Sequence, residues 1–174
     1  MSAINYDLKK IRGIAFDVDG VLSSSLVPIH ISGEPMRMMN TKDGYAIQLA
    51  IKHGLNIAII TGAHTNSVYK RFHNLGVTDI YMGASIKLPY FNEWKEKRDM
   101  EDDEIVYMGD DIPDYDVMKQ AGLPAAPADA ASDIKAIAKY ISPFKGGEGC
   151  GRDIIEQILK AQGKWLDDPI AFGW

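Results

Sequence analysis

The sequence predicts an α/β fold on an open, mainly parallel sheet, and three observations carry that prediction. Short apolar runs of strand type recur at 14–18, 56–60, 79–82 and 104–108, and segments of helical periodicity follow them. The run Asn56-Ile57-Ala58-Ile59-Ile60 is apolar without alternation, as in a strand covered on both faces. The runs end in Asp19-Gly20, Thr61-Gly62, Gly83 and Gly109-Asp110, residue types that close a strand and open a loop. Right-handed crossovers are the expected connections.

Taken in order, the first strand closes on Asp17-Val18-Asp19-Gly20. Residues two apart in a strand share a face, so Asp17 and Asp19 can leave its end side by side. A loop over 21–26 follows. Val27, Ile29 and Ile31, then Met36 and Met38, alternate about Ser32-Gly33-Glu34-Pro35, the pattern of a β-hairpin. Thr41 or Asp43 is the expected cap of a helix that ends at His53-Gly54. After the second strand, a helix over 66–75 is stopped by Gly76. The third strand, 79–82, leads to a helix over 85–99 with Pro89 in its first turn. The fourth strand ends in Gly109-Asp110-Asp111, and a helix over 114–121 follows. A strand at 123–126, a helix over 132–139, a strand at 140–141, a glycine-rich loop at 146–149 and a helix over 153–162 complete the pattern. The tail from Trp165 to Trp174 shows no element, and its aromatic residues suggest a docking surface. No repeat or linker divides the chain, so one domain over 1–174 is expected.

Bulk properties narrow the function. A net charge of −5 supplies no basic excess for a nucleic-acid partner. No run reaches the length of a membrane span, and the N-terminal residues lack an apolar signal core. Cys150 is the only cysteine, which rules out an internal disulfide and a thiolate zinc cluster. A cytoplasmic protein without a membrane partner is the expectation.

Ligands of open α/β sheets bind at the carboxyl ends of the strands, and the chemically distinctive residues fall there. Two close carboxylates repel unless a cation or a proton lies between them. An aspartate can accept a phosphoryl group, and a second acid can protonate the leaving alcohol and later activate water. Mg2+ bound by carboxylates lets an anionic nucleophile approach an anionic phosphate. Thr61 can donate to a phosphoryl oxygen, and Lys87 can neutralise charge. Asp17, Asp19, Thr61, Lys87, Asp110 and Asp111 together specify phosphoryl transfer.

Asp17-Val18-Asp19-Gly20, Thr61-Gly62, Lys87 and Gly109-Asp110-Asp111-Ile112-Pro113-Asp114 resemble the four motifs of the haloacid dehalogenase (HAD) superfamily of phosphohydrolases. The resemblance implies a three-layer α/β sandwich with a Rossmann-like sheet and the hairpin in place of a cap domain. It implies Asp17 as nucleophile and Asp19 as general acid and base. It implies Mg2+ on Asp17, the backbone carbonyl of Asp19 and Asp110, with Asp111 and Asp114 in support. Asn40-Thr41-Lys42-Asp43-Gly44-Tyr45, Arg71, Gly146-Gly147-Glu148-Gly149 with Arg152, and Ala161-Gln162-Gly163-Lys164 are similar to the 3-deoxy-D-manno-octulosonate 8-phosphate (KDO 8-phosphate) phosphatases. That likeness, over roughly 11–164, implies phosphate or substrate contacts from Gly62, Asp43 and Arg71. It also implies a sugar-acid phosphate as substrate and a homotetramer in which hairpins assemble and neighbouring chains close each site.

Two positions depart from that pattern, Ala63 and Glu148, where many members carry arginine. Phosphatases of nine-carbon keto-sugar acids, such as KDN 9-phosphate, have acidic residues in similar places and are the alternative reading. A phospho-accepting receiver domain also combines acids, a threonine and a lysine. Its accepting aspartate, however, ends a middle strand, where this chain has Thr61 or Gly83. His30, His53, His64 and His73 show no metal-ligand spacing; His64, just after Thr61-Gly62, is the one placed to touch substrate.

Overall fold

The computed structural model describes residues 4–166 and 169–173. Its strands are β1 (Gly13–Phe16), β2 (Asn56–Ile60), β3 (Asp79–Tyr81), β4 (Ile105–Met108), β5 (Leu123–Ala126) and β6 (Tyr140–Ile141). Its helices are α1 (Thr41–Lys52), α2 (Asn66–Asn74), α3 (Leu88–Lys97), α4 (Tyr115–Gln120), α5 (Ser132–Ile137) and α6 (Cys150–Ala161). The six strands form one sheet in the order β3-β2-β1-β4-β5-β6, and every pairing is parallel.

Alternation along the strands produces the three layers, because neighbouring residues point to opposite faces. Ile14, Phe16, Ile57, Ile59, Val106 and Met108 pack with residues of α1, α2 and α6. Ala15, Ala58, Ile60, Ile105 and Tyr107 pack with α3, α4 and α5 on the other face. The chain winds from β1 through β2 to β3 and then returns to the far side of β1 as β4. The carboxyl ends of β1 and β4 therefore lie at the topological switch point, where such sheets open a crevice. Register places Phe16 opposite Met108, so Asp17 and Gly109 leave the sheet together.

Several boundaries differ from expectation for local reasons. The cap of α1 is Asn40, whose side chain accepts from the Lys42 N–H; Asn is as good a cap as Thr or Asp. α3 starts at Leu88, with Pro89 next and Lys87 in the cap position. The acids after β4 enter a single 3-10 turn, Ile112–Asp114, before α4. α6 starts at Cys150, three residues before the expected Asp153. The hairpin over 27–38 is formed by His30 N–H to Glu34 O and Met36 N–H to Pro28 O, both 2.8 Å, with one antiparallel bridge between Ile29 and Pro35. Pro28 and Pro35 carry no N–H, which limits the ladder. In the tail, Pro169–Phe172 makes a 3-10 turn, and the Tyr45 hydroxyl donates to the Ala171 carbonyl. Trp165 is buried with the Arg152 guanidinium 4.4 Å from its ring centroid, so its docking partner is this chain. Trp174 lies outside the described residues.

Phe91 anchors α3, fully buried and packed edge-on to Tyr107 of β4 with ring centroids 6.1 Å apart. Phe91→Ala is expected to destabilise the protein by about 3–5 kcal/mol, read as a lower urea midpoint with an unchanged denaturant slope.

Candidate active site

Asp17 takes its position from the sheet: its N–H donates to the Met108 carbonyl at 3.1 Å, one residue beyond the β1–β4 ladder. Its carboxylate is buried. Oδ1 accepts the Val18 N–H at 2.6 Å, and Oδ2 lies 2.8 Å from Lys87 Nζ. Lys87 reaches it from the bend before α3 and is itself buried. The same ammonium donates to Asp114 Oδ1 at 2.7 Å. Tyr107, inside β4, donates its hydroxyl to that oxygen at 2.7 Å. Asp114 Oδ2 accepts the N–H groups of Asp110 at 3.0 Å and Asp111 at 3.3 Å. Both oxygens of Asp114 are thus committed, and they fix the turn that presents Asp110.

Carboxylate oxygens of Asp17, Asp110 and Asp114 lie within 4.8 Å of one another. Gly20 makes this approach feasible. It sits at φ +84°, and a Cβ there would overlap the Asp110 carboxylate, so only a hydrogen fits. Burial, then the charge of Asp114, pushes the Asp17 carboxyl up to about 7, against the opposing pull of Lys87. Burial, then Asp17 and Asp114, pushes Asp110 up to about 8. Burial would lower Lys87, but Asp17 and Asp114 outweigh it and hold the ammonium above its ordinary value. A cluster with more negative than positive charge is suited to a divalent cation, which oxygen donors of this kind bind well. Asp114 accepts two hydrogen bonds on each oxygen, whereas Asp17 has one partner on each, so Asp17 and Asp110 keep more lone-pair capacity for such an ion than Asp114 does.

The other predicted residues divide into two groups. Thr61 is buried at the end of β2, its Oγ1 accepting the Ala63 N–H at 3.1 Å, and Gly62 is exposed beside it. Asp111 is exposed on the turn after β4. Asp19 is half-buried and gripped by Arg37, whose Nε and Nη2 donate to its two oxygens at 2.6 and 2.8 Å. Asp43 and Arg71 instead line a separate small cavity with Leu22, Met39 and Asn40. Asp43 Oδ1 accepts the Arg152 N–H at 2.6 Å, in the first turn of α6, and Arg71 packs against Gly44. Sequence reasoning missed Tyr107 and Arg37. Tyr107 stands in an apolar strand run and Arg37 between two methionines, so neither spacing carries a chemical signal.

No family model matches the chain. It is 39% identical over 160 residues to the 3-deoxy-D-manno-octulosonate 8-phosphate phosphatase KdsC of Escherichia coli (strain K12), covering 92% of this chain and 85% of that protein. The crystal structure of 3-deoxy-D-manno-octulosonate 8-phosphate phosphatase from Yersinia pestis superposes with TM-score 0.87 at 37% identity, over 91% of this chain and 85% of that one. A putative HAD superfamily (subfamily III A) hydrolase from Legionella pneumophila gives TM-score 0.88 at 35% identity, over 91% and 87%. The Moraxella catarrhalis phosphatase, crystallised with magnesium, phosphate and KDO, gives TM-score 0.86 at 32% identity, over 90% of each chain. This chain belongs to the 3-deoxy-D-manno-octulosonate 8-phosphate phosphatase family of the HAD superfamily.

Proposed function

We propose that the protein is a Mg2+-dependent phosphatase that hydrolyses KDO 8-phosphate to KDO and inorganic phosphate. The observation that carries this reading is the meeting of Asp17, Asp110 and Asp114 within 4.8 Å, with Lys87 bridging two of them. The family's named substrate supplies the sugar acid. Asp17 attacks phosphorus, the bond to the sugar oxygen breaks, and Asp19, acting as general acid, delivers a proton to that oxygen. Water then attacks the aspartyl-phosphate, Asp19 takes the water's proton, and Asp17 is regenerated as phosphate leaves. Thr61 and the Gly62 backbone would hold phosphoryl oxygens, while Lys87 offsets the negative charge of Asp17 and of the phosphoryl group. Asp114, with Asp111 beside it, keeps Lys87 and Asp110 in place. Asp17, Asp110 and the Asp19 carbonyl would hold Mg2+, which supplies charge neutralisation between nucleophile and phosphate. Substrate contacts from Asp43 and Arg71 would have to come through the separate small cavity that they line with Leu22, Met39 and Asn40.

We further infer that the chain works as one domain over 1–174 in the cytoplasm and assembles as a homotetramer through its hairpins. Support for assembly is the apolar surface of the arm: Leu26 is 84% exposed, Ile31 99% and Met38 77%, a concentration unusual for a surface facing only water. Among the described residues no helix is long and apolar enough to cross a membrane. Sedimentation or light scattering is expected to give the mass of four chains, and a monomer would remove the assembly reading.

Phosphate release from KDO 8-phosphate is expected to exceed release from a hexose 6-phosphate; faster release from KDN 9-phosphate would reassign the substrate. Asp17→Asn should reduce turnover to background, and Asp19→Asn should lower it by about 10²–10⁴-fold while leaving Mg2+ affinity within a few-fold of wild type.

The acids also set a pH dependence. Asp17 and Asp110 titrate in the fold near 7 and 8, above the ordinary 3.8, so the metal-free fold binds more protons than the unfolded chain between those limits. Its stability is therefore greatest below about 4 with respect to these two groups, and falls as pH rises through about 7 to 8. Protons and Mg2+ compete for the same oxygens. Calorimetry should accordingly show Mg2+ affinity rising from pH 6 to pH 8 with proton release, and thermal melts should show the largest Mg2+ stabilisation at the alkaline end. A pH-independent affinity would contradict the ligand assignment.

A further inference from the structure

We propose that Arg37 is the positioning residue for the acid–base carboxylate of Asp19, and that it makes the orientation of that carboxylate depend on how the 27–39 arm is seated. This rests on the reading of Asp19 as acid and base. The contact is a two-pronged fork, Nε to Oδ1 at 2.6 Å and Nη2 to Oδ2 at 2.8 Å, which fixes the plane of the carboxylate as well as its place. Among the described residues no other side chain hydrogen-bonds the Asp19 carboxylate.

Burial shows which partner holds the other. The Arg37 side chain is 9% exposed and that of Asp19 38%, so the guanidinium is the fixed member and the acid the freer one. A third segment secures the arginine. Its Nη1 donates to Thr65 Oγ1 at 2.9 Å, and Thr65 stands at the cap position of α2 without making a side-chain cap. A threonine there ordinarily turns its hydroxyl oxygen to the helix N–H groups; here it faces the arginine. Arg37 thus ties together the loop after β1, the hairpin arm and the loop that carries Thr61 and Gly62.

The chemistry needs such a tie. To protonate a leaving alkoxide and later take a proton from water, one Asp19 oxygen must turn to the reacting atoms while the other stays anchored. A fork permits this, because one prong can release while the second holds. Lysine would keep the charge but not the plane.

The test uses Arg37→Ala, Arg37→Lys, Asp19→Asn and the double variant Arg37→Ala/Asp19→Asn, each with Mg2+. On KDO 8-phosphate, Arg37→Ala should lower kcat/KM by about 10–100-fold, within the range an ill-placed acid forfeits, with Arg37→Lys in between. In the Asp19→Asn background the same substitution should change it less than about twofold, the signature of two residues acting as one unit. Phenyl phosphate and para-nitrophenyl phosphate separate the roles further, since they differ in leaving-group basicity and carry no sugar. The Arg37→Ala loss should be several-fold larger for phenyl phosphate. If Arg37→Ala fails to fold, Arg37→Lys should show the same non-additivity and leaving-group trend. Additive losses in the double variant, or equal losses for both aryl esters, would overturn the positioning role while leaving the acid–base reading intact. Wild-type kcat/KM in Asp19→Asn would overturn both.

Discussion

The mutual repulsion of Asp17, Asp110 and Asp114 is the constraint around which this fold is arranged. Their oxygens come within 4.8 Å, a range at which one pair of like charges costs on the order of 3–4 kcal/mol at an effective dielectric of about 20. Two of the three are buried, where that cost is felt more strongly than at the surface. The buried Lys87 offsets part of it by touching Asp17 and Asp114 at once. The Tyr107 hydroxyl and the N–H groups of Asp110 and Asp111 satisfy the rest of Asp114. Burial first, and then the charge of the neighbouring acids, pushes the Asp17 and Asp110 carboxyls up to about 7 and about 8. The site is built to be short of positive charge, and a metal and a phosphate together suit that shortage better than either alone.

Parallel pairing delivers this geometry without using a flexible element. Because Phe16 and Met108 are opposite one another, both acidic loops start from the same level of the sheet. The loops beyond are then pressed together by glycine. Gly20 allows the Asp110 carboxylate to approach, and a Cβ at Gly146 would strike the Gly20 backbone. Gly147 N–H donates to the Val21 carbonyl at 2.8 Å, and the Cys150 thiol donates to the same carbonyl. The glycine-rich segment thereby packs on the loop after β1 within one chain. Asp43 belongs to this packing through the first turn of α6, which places an acid near the positive end of a helix dipole.

The sheet and the acids were legible in the sequence because both leave local marks. Continuous apolar runs such as 56–60 announce strands buried on two faces, and acids or glycines at their ends announce loops. Helix starts were less legible: Asn40, Thr41 and Asp43 are all good caps, so composition alone does not choose among them. The start of α6 was hidden because Cys150 and Gly151, which continue the buried face of Ile154 and Ile155, are a small thiol and a glycine, types that do not announce a helix start. The roles of Tyr107 and Arg37 were not legible at all. Each depends on a contact across a long stretch of chain or between elements, which no periodicity records. A tyrosine in a strand reads as core, and an arginine between methionines reads as a solvated position on an amphipathic arm.

Besides the exposed Asp111, four aspartates lie around the carboxyl ends of β1 and β4, and identical chemistry gives them different work because their partners differ. Asp114 has hydrogen bonds on both oxygens and is a fixed support. Asp17 has one ammonium and one backbone N–H, so it stays oriented while keeping lone pairs for a metal and for phosphorus. Asp110 is held through its own backbone N–H by Asp114, which leaves its carboxylate free for the cation proposed above. Asp19 alone is held by a residue of the hairpin arm, which lies in the crossover from β1 to β2 ahead of α1 and turns apolar side chains outward. On the reading of Asp19 as acid and base, the group proposed to move a proton is the one whose restraint comes from the most peripheral element. This is the arrangement expected if proton transfer, but not metal binding, responds to what covers that arm.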